Sequence, residues 1–245
     1  ITSTVQANSK AGFSIVQWTG TQVNDSIGHG LNSAPEILIL KDTSNVYNWY
    51  VYTKPSGATN NIRIEGLNTT SAGSTANSQF TTTSTLIENL TTMASLNTTG
   101  ANMIIYAYHS VAGYSKVGTY TGNGSTAGPV VNTGFEPAWL MIKVISGGTD
   151  SWFIVDNKRQ TSNPRDERLF ANSTAVEASE AGAKIDFFAN GFQSVGTGGG
   201  SGSGQVNGNG YEYIYMAFAA DATTTPVLAD SFGSKLYTGT SATHS

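Results

Sequence analysis

Ala112-Gly113-Tyr114-Ser115, Tyr120-Thr121-Gly122, Gly134-Phe135-Glu136-Pro137-Ala138-Trp139-Leu140-Met141-Ile142-Lys143 and Asp150-Ser151-Trp152 follow one another in the second half of the chain. The first half carries the same features in the same order: Ala11-Gly12-Phe13-Ser14, Trp18-Thr19-Gly20, Gly30-Leu31, Ala34-Pro35-Glu36-Ile37-Leu38-Ile39-Leu40-Lys41 and Asn48-Trp49. Self-similarity at a long period marks a repeat architecture and fixes the domain count before any local reading. The ending, Lys235-Leu236-Tyr237-Thr238-Gly239-Thr240, resembles both openings. The chain is therefore read as a segment of a longer polypeptide that stops at the start of a third copy.

The pattern inside each copy is β. Phe13 to Trp18 alternates two faces, as a strand does. Pro35 precedes Ile37-Leu38-Ile39-Leu40, and four consecutive apolar residues indicate a strand buried on both faces. Trp49 to Tyr52 is aromatic and β-branched, the composition that strands favour. Asn102 to Tyr108 and Tyr211 to Phe218 close the two copies. Ile185 to Phe192 is a hairpin around Asn190-Gly191. Leu86, Ile87, Leu90, Met93 and Leu96 fit either a short helix or a strand–turn–strand, and the second copy tips the choice to β. Gly196 to Gly210 is nearly all Gly, Ser and Asn, the composition of a mobile hairpin tip without core residues. Short strands separated by regular turn signals predict an all-β fold of two tandem antiparallel β-sandwich repeats, jelly-roll or lectin-like. The boundaries are a linker at 1–10, repeats at 11–110 and 111–221, and a linker with the third start at 222–245.

Charged residues are 11% of the 245 residues and the formal net charge is -4. Nothing in that balance attracts nucleic acid or an anionic membrane. No apolar run is long enough to insert into a bilayer. With no cysteine there is neither a disulfide framework nor a thiolate metal site. Three histidines, His29, His109 and His244, are scattered without metal-ligand spacing. His29 lies between Gly28 and Gly30, where a backbone fit is the favoured role. The carboxylates Asp150, Asp156, Asp166, Glu167, Glu177, Glu180 and Asp186 contain no pair that stands out as an acid and base. No cofactor, metal or catalytic site is expected, and the chain is read as non-enzymatic.

The aromatic-Thr-Gly string, the Pro followed by four apolar residues and Lys, the Trp strand and the closing Tyr213-Ile214-Tyr215-Met216-Ala217-Phe218-Ala219 resemble a β-sandwich repeat of tail-fibre and other structural proteins of tailed phages. The resemblance covers roughly residues 11–221. The first copy departs from it, ending in Tyr106-Ala107-Tyr108 without the Met. The resemblance implies a virion location and a fibrous or capsid-decorating homo-oligomer (a trimer in a fibre) with other virion proteins as partners. The leading expectation built on it is a tail-fibre segment that contributes to host-surface attachment, with a host-surface glycan as a candidate partner. The rivals are a head fibre or capsid-decorating protein and a cellular adhesin or surface-filament subunit. It transfers no catalytic residue.

Two sets of side chains are candidates for binding. Trp49 with Asn48, and Trp152 with Asp150, offer an aromatic face and polar partners suited to a sugar. Equal positions in two copies favour packing as the role of both Trp. Lys158, Arg159, Arg165 and Arg168 concentrate basic charge suited to an acidic glycan or a neighbouring subunit. Asp166 and Glu167 within the same loop favour a solvated, self-neutralised segment.

Overall fold

The computed structural model describes residues 1–54, 62–65, 74–75, 80–90, 94–196 and 205–220. Within them the first copy runs β1 (Ser3–Asn8), β2 (Phe13–Thr19), β3 (Asp25–Gly28), β4 (Ile37–Asp42), β5 (Tyr50–Thr53), β6 (Ile62–Glu65), β7 (Ser74–Thr75), β8 (Thr81–Thr82), β9 (Leu86–Leu90), α1 (Ala94–Asn97) and β10 (Asn102–Tyr108). The second runs β11 (Ser115–Thr121), β12 (Val130–Asn132), β13 (Pro137–Ser146), β14 (Phe153–Asp156), β15 (Glu167–Phe170), β16 (Ala178–Ser179), β17 (Ile185–Phe188), β18 (Gly191–Ser194) and β19 (Glu212–Ala219). The strands form four sheets with antiparallel pairing throughout. Their orders are β1-β2-β10-β4-β5-β6-β7, β11-β19-β13-β14-β15-β16, β12-β18-β17 and β3-β9-β8.

Each copy thus has one large and one three-stranded sheet, and a single apolar cluster joins them. In the first copy, Val16, Trp18, Leu38, Leu40, Met103 and Ile105 of the large sheet meet Ile27 and Ile87 of the small one. In the second, Leu140, Ile142, Val144 and Tyr215 meet Val131, Phe187 and Phe192. Successive strand residues point to opposite faces, so Ile37 and Ile39 leave the first cluster and Trp139, Met141 and Ile145 leave the second. These residues, with Val51, Val117, Trp152, Ile214 and Met216, form a third cluster. The two large sheets therefore pack on one another through their outer faces. That contact explains the four consecutive apolar residues of β4, since both of its faces are buried.

The repeat extends to single hydrogen bonds. Gly20 N donates to Ala101 O and Gly100 N to Gly20 O; Gly122 N donates to Tyr211 O and Gly210 N to Gly122 O. A Cβ on Gly20 would run into the Thr98 carbonyl, and one on Gly122 into that of Gly208. Only glycine permits this close approach, which accounts for the repeated Thr-Gly.

Three expectations need correction. Residues 1–10 are not a linker, because β1 pairs with β2 along its whole length, from Ser3↔Trp18 to Asn8↔Phe13. Its polar side chains hide it, and the backbone ladder holds it. The ambiguous 86–96 stretch resolves as a strand, β9, followed by one helical turn, α1. The Gly/Ser-rich tip does contribute to the core: Val206 is fully buried in the second cluster, and Gln205 and Asn207 are buried beside it. Residues 197–204 and the suspected third start lie outside the described residues.

Candidate functional site

The functional surface is best approached by first removing the polar side chains that the fold consumes. Asn97, fully buried, accepts from Trp18 Nε1 (3.1 Å) and Thr21 N (3.2 Å) and donates to Val23 O (3.0 Å). Asn207 repeats this on the second copy, accepting from Asn123 N (2.9 Å) and donating to Ser125 O (2.7 Å). The backbone carbonyls match as well, taking Gln22 N and Gly124 N. Gln22 has φ 55° and Gly124 φ 66°, the same left-handed turn built from two different residues. These clamps were not found from sequence. Their signal is Asn-x-x-Gly before the closing strand, Asn97 to Gly100 and Asn207 to Gly210, lost among many Asn and Gly.

The repeated lysine is also structural. Lys41 Nζ donates to the carbonyls of Asp42 (2.7 Å), Asn45 (3.3 Å) and Tyr47 (2.7 Å). Lys143 Nζ donates to those of Val144 (3.2 Å) and Asp150 (2.7 Å). Both cations gather the loop that follows their strand. Lys143 is completely buried, and burial brings its ammonium down to about 8, with Asp150 opposing the shift. His29 likewise serves the backbone: its Nδ1 accepts from Leu31 N and its Nε2 faces Thr83 O. The matching Thr133 Oγ1 accepts from Phe135 N. Burial lowers the His29 pKa. His109 is buried with Nδ1 against Ser110 O, and His244 lies outside the described residues.

The basic loop is largely neutralised from within. Arg159 pairs with Asp156 and Glu177 (2.6 Å each) and donates to Glu167 O. Burial alone would raise the Asp156 carboxyl, but the hydrogen bonds from Arg159 and Lys158 outweigh it and hold the carboxyl low. Arg168 pairs with Glu180 (3.1 Å) and donates to Gln205 Oε1 (2.7 Å). Arg165 is buried, bonded to Asn163 and stacked over Phe187 (4.3 Å). Lys184 pairs with Asp166 (3.5 Å). Of the four basic candidates, Lys158 alone is exposed.

The four sugar-site candidates separate into an inside and an outside pair. Trp152 is 2% exposed, within the cluster between the large sheets, so as packed it presents no ring face to a ligand. Its Nε1 meets no acceptor among the described residues. Asp150 is half-buried, linked through Gln205 to Arg168 and, by its backbone carbonyl, directly to Lys143, with burial raising its pKa. Asn48 is exposed and Trp49 half-buried. Trp49 does not stand alone: its ring lies 6.2 Å from Tyr106 at 27°, Tyr106 lies 6.4 Å from Phe13 at 3°, and Phe13 lies 4.6 Å from Tyr108. Trp49, in the loop just before β5, and the rings of β10 and β2 thus line up a row of half-buried rings beside the outer face of the first large sheet. Such a row supplies flat apolar faces for stacking. Tyr106, Tyr108 and Phe13 were missed from sequence, although Tyr106-x-Tyr108 alternates as one strand face requires.

Among the described residues, no group of three or more His, Asp or Glu is gathered as a metal site. No described helix is long and apolar enough to cross a membrane. The family model described as Domain of unknown function (DUF7483) matches residues 1–222, and the chain belongs to that family. One model spans both copies, so the pair is the unit that the family shares. No curated protein and no solved structure matches the chain.

Proposed function

We propose that this chain is a non-enzymatic structural segment of a phage virion, part of a tail fibre or appendage that contributes to host-surface attachment. In this reading each copy is a β-sandwich of jelly-roll type, and the chain acts as a homotrimer with other virion proteins as neighbours. The supporting observation is the duplicated, self-neutralised architecture: buried polar side chains are spent on loop clamps, and two large sheets are spent on packing the copies together. That is an economy suited to a rigid, repeated, exposed element. The virion location in this reading rests on the resemblance of the repeated motifs to phage fibre repeats. The row Trp49, Tyr106 and Phe13, with exposed Asn48, is the surface proposed to meet a host glycan.

Immunogold electron microscopy of purified particles, with an antibody against residues 11–221, tests this. Label on distal tail fibres supports attachment. Label over the capsid moves the protein to a head fibre or decoration. Absence of label on any particle overturns the virion reading in favour of a cellular adhesin or surface filament.

A further inference from the structure

The two copies use the outer faces of their large sheets differently. In the second, Trp152 and Met216 are buried in the cluster between the sheets. Trp49 and Tyr106 hold the same places in the first copy; Tyr106 pairs with Ile39 across the ladder as Met216 pairs with Met141. Yet Trp49, Tyr106 and Phe13 belong to none of the three apolar clusters. Core packing therefore does not account for these three rings. Their planes nearly agree, 27° between Trp49 and Tyr106 and 3° between Tyr106 and Phe13, at centroid distances of 6.2 and 6.4 Å. Parallel rings that far apart are offset, and each leaves part of its face uncovered by the next. The loop that carries Trp49 is fixed in advance. Asp42 accepts from Ser44 N and Asn45 N (2.9 Å each), Asn45 Nδ2 (3.0 Å) and Thr98 Oγ1 (2.8 Å), and Lys41 holds the carbonyls of Asn45 and Tyr47. A site ordered before its ligand arrives loses less entropy on binding.

The charge around the rings selects the ligand. Strands β1, β2 and β10 contain no charged residue. Cross-strand partners share a face, so the exposed Thr4, Gln6 and Gln17 lie on the same face as Phe13 and Tyr106. Lys41 is spent on loop carbonyls, and the basic loop of the second copy on its own carboxylates. We infer that the row of Phe13, Tyr106 and Trp49 binds a linear, uncharged glycan, and that this site belongs to the first copy alone. The inference rests on the reading of the row as a glycan-binding surface and is independent of the virion location. The C–H faces of successive sugar units stack on the offset rings, and the amides of Asn48, Gln6 and Gln17 exchange hydrogen bonds with sugar hydroxyls. An acidic glycan is disfavoured twice. Its carboxylates or sulfates would meet the negative faces of the rings, and β1, β2 and β10 offer no cation to balance them.

The test applies the full chain to an array of linear gluco-, manno-, galacto- and xylo-oligosaccharides beside uronate-bearing and sulfated glycans. Binding is expected on the uncharged glycans alone. Titration with the best of them should give an affinity that changes less than about 2-fold between 0.05 and 1 M NaCl. Trp49→Ala and Tyr106→Ala should each weaken it about 10-fold or more. Asn48→Ala, at an exposed position that cannot disturb the core, should weaken it about 3-fold. Tyr114→Ala, at the place of Phe13 in the second copy, should leave it unchanged. Thermal melts of each variant separate lost binding from lost fold. Binding confined to acidic glycans, or weakened by salt, overturns the uncharged class while the row stands as a glycan surface. An equal loss in Tyr114→Ala overturns the assignment to the first copy. Binding indifferent to Trp49→Ala and Asn48→Ala overturns the inference as a whole, and binding to no glycan overturns the reading of the row on which it rests.

Discussion

Replacing Asn97 by alanine tests the clamp that the two copies share. The side chain accepts from Trp18 Nε1 and Thr21 N and donates to Val23 O. Each such bond contributes about 1 kcal/mol net, and a buried donor left without an acceptor costs about 1–3 kcal/mol more. Trp18 is buried, so its Nε1 is the donor stranded by the change. The sum for Asn97→Ala is about 4 kcal/mol. Asn207→Ala strands no indole and should cost less, about 3 kcal/mol. Asn97→Asp keeps an oxygen for Trp18 Nε1 and Thr21 N but loses the donor to Val23, and should fall between wild type and Asn97→Ala. Urea unfolding followed by tryptophan fluorescence and far-ultraviolet circular dichroism measures all three. A loss below about 1 kcal/mol for Asn97→Ala, or a larger loss for Asn207→Ala, would refute the reasoning.

Burial separates the two repeated tryptophans: Trp152→Ala should cost about 3–5 kcal/mol, whereas Trp152→Phe removes an unpaired indole donor and should cost under about 2 kcal/mol, both read by denaturant midpoint. Trp49→Ala should leave the fold nearly intact and lower binding to host polysaccharide, measured by glycan array or calorimetry. Lys143 sets a pH dependence. Its folded pKa of about 8 lies below the unfolded value of about 10.4, so the unfolded chain holds more protons in that window and stability rises with pH. A gain of about 1–2 kcal/mol between pH 8 and 9.5 is expected in wild type and absent in Lys143→Met. Gly122→Ala drives a methyl into the Gly208 carbonyl and should cost upward of about 2 kcal/mol, while Gly210→Ala meets nothing within 4 Å and pays only the cost of its positive φ, about 1 kcal/mol, both read by thermal melts.

Much of this was legible in the residues. The doubled motifs correspond to matched hydrogen bonds around Gly20 and Gly122, and the apolar run of β4 announced two buried faces. The sequence did not say what covers the second face, because a run of Ile and Leu is indifferent to its partner; the partner is the other copy. Strand β1 escaped notice because backbone pairing holds it and apolar alternation does not. The Gly/Ser tip concealed Val206 and Asn207 because composition averages over the two residues that matter. Pairing by charge was legible only as a mixture of signs: Arg159 with Asp156 and Glu177 shows how the loop spends its cations. The aromatic row was half legible, since Trp49 draws attention by itself and its neighbours come from distant strands.

The packing of large sheet on large sheet has a mechanical meaning. Tandem domains joined only by linkers swivel at every junction. Here the third cluster welds two copies into one block, and a fibre made by repeating this pair would bend only at every second junction. Its stiffness would then be set by the length of the block rather than of the copy. Tension along the chain would have to shear a whole sheet face, Ile37, Val51, Trp152 and Met216 included, before the first copy could part from the second.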